Sequence, residues 1–294
     1  MSARIEASQV AVPPAKARSD FRFERPVWTL PAAFFLLLFF IMPLFDNLKK
    51  SFTEGLAASN SLYYYIKIIS DPYYRDVVIS TFTVSGIVVL ACILIGYPVA
   101  YFLVRYAGKW QPAIVFLLIA PLLTSIVMRT FGWQVILARR GLLNNALMAL
   151  GFEPFRGNLT NEPIAVYIGL VHVLVPFMVL SIAPVLQKIG PQLDEAAQVL
   201  GAGRMRILTH ITLPLSREGL LSGCILVFML ANGSFLTMLL LGGGSIITAP
   251  LLIYQQFIVT QDSAFAGAIG NILLLLSLIC LSLQIPLAKK AGQS

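Results

Sequence analysis

Residues 193–215 read LDEAAQVLGAGRMRILTHITLPL. Two acids, two arginines, a histidine and a Gly-Ala-Gly step stand here between two apolar runs, 163–187 and 217–241. Each run meets the roughly 20 residues that an α-helix needs to cross the hydrocarbon of a bilayer. A polar, helix-forming insert between two such runs belongs at a membrane face. Where it lies decides how the rest of the chain is threaded.

The same ruler finds six spans in all, at 28–48, 77–104, 112–135, 163–187, 217–241 and 265–287, the third interrupted near its end by Arg129 and Thr130. The expected fold is an all-α integral membrane protein with six transmembrane helices. Composition agrees, because 58% of the 294 residues are hydrophobic and only 12% are charged, against about a quarter charged in soluble domains. Residues 1–26 are polar, contain Pro13-Pro14 and read as a tail that precedes a transmembrane domain over 27–290. The tail is too polar for a signal-peptide core, so the first apolar run is expected to stay as a span. Cys92, Cys224 and Cys280 lie in apolar runs with no CxxC spacing, which suggests packing and neither disulfide nor zinc. Asn158-Leu159-Thr160 fits the glycosylation pattern but is too short to carry weight.

Charge orients the spans. The tail, the 105–111 link, the 188–217 insert and the C-terminal end hold 13 of the 21 Lys and Arg, and 242–264 holds none. Positive-inside bias then places both termini and the insert in the cytoplasm. The net charge of +8 is spread through loops in this way, which argues against a nucleic-acid surface.

Within the insert, taken as 190–215, Pro191 suits a first helical turn, and Asp194 and Glu195 sit where the macrodipole favours acids. Leu193, Ala196, Ala197 and Leu200 fall at i, i+3, i+4 and i+7, a narrow apolar stripe. Gly201 stands where a left-handed residue stops a helix, and a second helical stretch is expected to end at Leu213-Pro214. One reading is an amphipathic helix on the membrane surface. The stripe lacks the Phe and Trp of interfacial helices, and two alanines at its centre suit a knob that docks on a protein.

Other chemistry is missing from the sequence. The only Gly-Lys pair, Gly108-Lys109, is followed by Trp110, so there is no phosphate-cradling P-loop and ATP would be handled by another polypeptide. No nucleophile–base set or paired carboxylates stand out, so the chain is not expected to be an enzyme, to hold a metal or to need a cofactor. His172, alone on an apolar helix, is expected to bond a neighbouring helix. The spans hold essentially no Asp, Glu or Lys, which disfavours an ion-coupled secondary carrier; that class would keep its uptake after loss of any ATPase.

The spacing Glu195-Ala196-Ala197, Gly201, Ile211 and Leu213-Pro214 resembles the EAA loop of bacterial ABC importer permeases. TSIVMRTFGWQVILARRGLLNNAL (124–147), GYPVAYFLVR (96–105) and NGSFLTMLLLGGG (232–244) are similar to segments of spermidine/putrescine-type permeases. The resemblance implies a type I ABC importer permease fold in a bacterial inner membrane. It implies that Asp194, Glu195, Ala196, Ala197, Gly201, Ile211, Leu213 and Pro214 couple the chain to an ATP-binding-cassette ATPase dimer. It further implies a second, homologous permease subunit and a solute-binding protein at the outer face. The implied solute is a polyamine, with opines, amino-acid derivatives or aminophosphonates as alternatives. The family often carries an acid where Ser234 stands, and Thr-Pro where this chain has Thr237-Met238.

The polar and aromatic side chains in or near the spans are the candidates for a solute path: Tyr97, Arg129, Trp133, Asn232, Ser234, Phe235 and Asn271. An aromatic face attracts an ammonium, whereas in-membrane Asn, Ser and Tyr also tie helices together. Ala264/Ala268 and Ala266/Gly270, four apart, mark close packing in the sixth span.

Overall fold

The computed structural model describes residues 30–58, 60–151, 159 and 162–292. The expected tail, and Asn158 and Thr160, lie outside these residues. All regular structure among the described residues is helical. The chain divides into two compact units, one ending at Asp46 and one beginning at Asn47. Helix α1 (Pro31–Thr53) contains one π turn, Leu37–Ile41, and its Phe34, Phe35, Phe39 and Phe40 are exposed, as suits a helix with hydrocarbon around it.

After α2 (Tyr63–Ser70), α3 (Pro72–Arg105) is capped by Asp71, whose carboxylate accepts the Tyr73 N–H at 2.9 Å, with Pro72 in the first turn. Its 34 residues make a rod of about 51 Å, longer than the roughly 30 Å hydrocarbon layer. Its last turns therefore reach beyond the span and carry Tyr97, Tyr101 and Arg105 toward the polar loop. Two further helices, α7 (Pro163–Lys188) and α13 (Ser263–Gly292), are long and apolar enough to cross without a break.

The third and fifth spans are bent. Helix α4 (Gln111–Leu123) ends where Thr124 and Ser125 become extended, and α5 (Ile126–Leu137) and α6 (Leu142–Ala149) follow, with an angle of 99° across the break. The straight 112–135 span expected from hydropathy is replaced by this elbow. In the fifth, α9 (Arg204–Leu215) meets α10 (Arg217–Asn232) at 68°. The run to 241 is also interrupted at Gly233, after which α11 (Leu236–Leu241) is separate. The stretch 242–264, expected as a loop, contains a further apolar helix, α12 (Ala249–Val259).

Helix α9 does not end at Leu213-Pro214. It opens into a π turn over Leu208–Thr212, the Leu213 N–H bonding the Leu208 carbonyl, and this widening accommodates the proline that follows. The break falls instead at Ser216.

The core is the packing of α3, α7 and α10 on one another, with Val88, Cys92, Met178, Val179, Ile182 and Val227 fully buried. Met178 lies so close to Gly96 and Gly223 that a Cβ at either would come within 2.9 and 2.6 Å of its side chain. A second cluster joins α2, α12 and α13 through Tyr64, Ile68, Leu252, Phe265 and Ile269. Ala264 and Ala268 are buried there, and Ala266 is buried as well, as their spacing suggested.

Candidate functional site

The polar loop folds as a helical hairpin. Helix α8 (Pro191–Val199) stops at Gly201, whose φ is +84°. The Gly201 N–H bonds the Gln198 carbonyl and the Ala202 N–H bonds that of Ala197, each at 2.9 Å. These two bonds are the Schellman closure, which satisfies the last carbonyls of a helix and needs a left-handed residue at this position. Leu193, Ala196, Val199 and Leu200 face outward, with Val199 and Leu200 both 88% exposed, and Glu195 stands beside them.

Two of the residues expected on that face are turned inward. Ala197 is buried, so the apolar knob gains Val199 in its place. Asp194 is also buried and lies 3.0 Å from Nε of Arg105, both side chains being about nine-tenths covered. The Thr212 hydroxyl donates to its other oxygen over a long 3.4 Å. An acid at a helix N-terminus is ordinarily free to face water. Here the end of α3 supplies a buried cation, and the carboxylate turns toward it. Ile211 and Pro214 are half-buried, and Leu213 is exposed at the hairpin's return.

Tyr97 joins the same assembly. Its hydroxyl lies 2.9 Å from Oγ of Ser216, the fully buried residue at the α9–α10 break. The long helix α3 thus holds the hairpin at two points, Arg105 to Asp194 and Tyr97 to Ser216. Tyr97→Phe is expected to lower the stability of the purified protein by about 0.5–1.5 kcal/mol, the net worth of one hydrogen bond. Ser216 would keep its donation to the Leu213 carbonyl at 3.2 Å. Thermal unfolding of the variant beside the wild type measures it.

The expected path residues disperse. Asn232 accepts from Ser85 Oγ at 2.7 Å and ties α10 to α3. Asn271 donates to Ser51 Oγ and the Tyr65 hydroxyl at 3.2 and 3.1 Å. Asn232 is buried and Asn271 half-buried, each tied to a neighbouring helix, though Nδ2 of Asn232 finds no acceptor among the described residues. Ser234 bonds the Leu230 carbonyl of its own chain segment, and Phe235 stacks on Tyr254 with centroids 5.4 Å apart. Arg129 donates from Nη2 to the Thr124 carbonyl at 2.9 Å, closing the α4–α5 elbow.

Trp133 alone of the seven lines a cavity of about 670 Å³ walled by α3, α4, α5 and α7. Its indole N–H donates to Nδ1 of His172 at 3.3 Å, the rings meeting edge to face at 5.4 Å. His172 therefore does bond a neighbouring helix, and the cavity gains one polar corner between Trp133, His172 and Tyr167. Tyr167 also lines a second groove of about 380 Å³ with Asp76, Ser80 and Thr83. Asp76 and Tyr167 escaped the sequence reading; the signal was Asp76-Ser80-Thr83 at helical spacing, one residue ahead of the apolar run. Among the described residues no three His, Cys, Asp or Glu side chains converge as metal ligands would.

No family model matches the chain. The spermidine/putrescine transport system permease protein PotB of Haemophilus influenzae is 32% identical over 249 residues, 82% of this chain and 86% of that protein. Its Escherichia coli counterpart is 36% identical over 198 residues, 67% of this chain and 72% of that one. Among solved structures, a bacterial alginate ABC transporter in complex with an alginate-bound periplasmic protein contains a chain that superposes with a TM-score of 0.76. That match covers 91% of this chain and 94% of the other at 18% identity, a likeness of fold.

Proposed function

The chain belongs to the family of spermidine/putrescine transport system permeases, membrane subunits of ABC importers, and from that premise we propose that it carries a polyamine such as spermidine or putrescine into the cell. The observation that carries this reading is the likeness to a polyamine permease across 86% of that protein's length. The chain is a multi-pass membrane protein, with four unbroken and two bent apolar spans among the described residues. Its likeness to these permeases and its apolar helices support a bacterial inner membrane as its site.

Import then runs by alternating access. An ATPase dimer closes on ATP and pushes the α8 knob, Leu193, Ala196, Val199 and Leu200 with Glu195 at its edge. Because Arg105 and Tyr97 hold the hairpin to α3, the push reaches the core helices as movement of a rod and not as bending of a loop. Ala196 lets the partner surface approach, Gly201 sets the knob's turn, and Ile211, Leu213 and Pro214 return the chain to α10. ATP is bound and hydrolysed by the partner, so this chain is not catalytic and needs no cofactor of its own. A second permease completes the path, and a solute-binding protein delivers the solute outside. The excess of Lys and Arg in the insert and at both ends supports cytoplasmic termini.

The test is uptake by the whole importer, assembled from the neighbouring transport genes and reconstituted in vesicles. Labelled spermidine is expected to accumulate only with ATP and the binding protein, and to stop when the ATPase is left out. Accumulation without the ATPase would end the ABC assignment. ATP-driven uptake of other solutes but no polyamine would end the polyamine assignment.

A further inference from the structure

Helix α3 begins with a polar face. Asp76, Ser80 and Thr83 are spaced at i, i+4 and i+7 and share it with Ile79. They line one wall of the 380 Å³ groove, and Tyr167, Pro163 and Ile246 line the others. The Thr83 hydroxyl is spent on the Ile79 carbonyl at 2.9 Å. The Asp76 carboxylate makes no ion pair or hydrogen bond with any described residue. It lies at the end of α3 remote from Arg105 and the polar hairpin.

We propose that this groove is a binding station for a protonated amine, with the Asp76 carboxylate and the Tyr167 ring as the groups that recognise it. The proposal rests on the polyamine reading above and names the residues that would meet the solute. Asp76 is exposed just ahead of the apolar run of α3, where a carboxylate meets water or a cation and not lipid. A groove containing that carboxylate, hydroxyls and an aromatic wall supplies a charge partner and a face that attracts ammonium. Tyr167 is also a wall of the apolar cavity of about 670 Å³, where it forms a polar corner with Trp133 and His172. A polyamine is a chain of methylenes punctuated by ammoniums. Its leading amine would sit at Asp76 while its methylenes pass Tyr167 into the apolar cavity. An anionic solute would be repelled at this carboxylate.

Two measurements on the assembled importer in nanodiscs test this. The first uses Thr83→Cys in a background with Cys92, Cys224 and Cys280 changed to alanine. Modification rates are compared for a cationic aminoethyl and an anionic sulfonatoethyl methanethiosulfonate, each corrected for its reactivity with free thiol. A focused negative site should favour the cation by about tenfold, and Asp76→Asn should remove that preference. The second is spermidine uptake, expected to fall about tenfold in Asp76→Asn, the same loss of local cation concentration, and to be largely kept in Asp76→Glu. A Thr83→Cys thiol that reacts with neither reagent, a preference unchanged by Asp76→Asn, or full uptake by that variant would overturn the station. Failure of the wild type to move polyamines, with the cation preference intact, would overturn the polyamine reading and leave the amine site standing.

Discussion

Arg105→Ala is expected to destabilise the protein by about 3–5 kcal/mol, the cost of leaving one member of a buried ion pair unpaired. Asp194 would remain in its pocket with only the long Thr212 contact at 3.4 Å. To regain water the carboxylate must turn out, and α8 must roll with it, so the knob would leave the orientation that α3 imposes. Uptake is expected to fall with stability. The pair is not an ideal one, since neither Nε nor Nη2 of Arg105 makes a well-aligned hydrogen bond among the described residues, and the 3.0 Å approach to Asp194 is a contact of charge. Its worth lies in fixing where α8 sits more than in net stability, which two apolar residues of similar volume would supply as well. Arg105→Met combined with Asp194→Leu should therefore be less destabilised than either Arg105→Ala or Asp194→Ala. Thermal unfolding of the four proteins gives the comparison. A double variant whose loss equals the sum of the single losses would rule out the ion pair as the tether.

Much of this was legible in the sequence. A length rule locates helices that are apolar throughout, and the starts of α3 and α7 at Pro72 and Pro163 lie within a few residues of the runs that predict them. Breaks are harder. Hydropathy is indifferent to Thr124 and Ser125 turning extended, so the elbow between α4 and α5 reads as one span. The same holds at Gly233, where the apolar run continues though the helix does not.

The site was partly legible for a related reason. Gly201 is set by local backbone geometry and was read correctly. Asp194 depends on Arg105, distant in sequence and brought near only by the length of α3, and no pattern within the loop shows which way that carboxylate turns. Asn232, Asn271 and Tyr97 are polar residues in apolar surroundings, a composition that a solute path and a helix tie share. Their partners, Ser85, Ser51 with Tyr65, and Ser216, show that each ties helices together, which no local pattern reveals. Asp76 was passed over because a ruler for apolar length starts its count after the last charge.

Gly201→Val is the second large effect, and its loss should appear in transport more than in folding. At φ +84° a β-branched residue is out of place, and a left-handed conformation costs an L-residue about 1–2 kcal/mol. Space is not the obstacle, because an added Cβ at Gly201 would meet no atom within 4 Å. The isolated permease should therefore insert and fold, with α8 either strained or reopened at its C-terminal end. Reopening breaks the bonds from Gly201 to Gln198 and from Ala202 to Ala197, and it moves Val199 and Leu200, the most exposed part of the knob. A docking surface that shifts while the core stays intact loses coupling, so ATP-driven uptake is expected to fall at least about tenfold, the factor that 1.4 kcal/mol supplies. Gly201→Asn separates conformation from bulk, since asparagine tolerates the left-handed region. It should retain most uptake if the turn is what matters, and lose it as fully as valine if the ATPase surface closes tightly over this position. Normal uptake by Gly201→Val in whole cells would remove α8 from the coupling route, because no other feature of the hairpin depends so directly on one residue's backbone geometry.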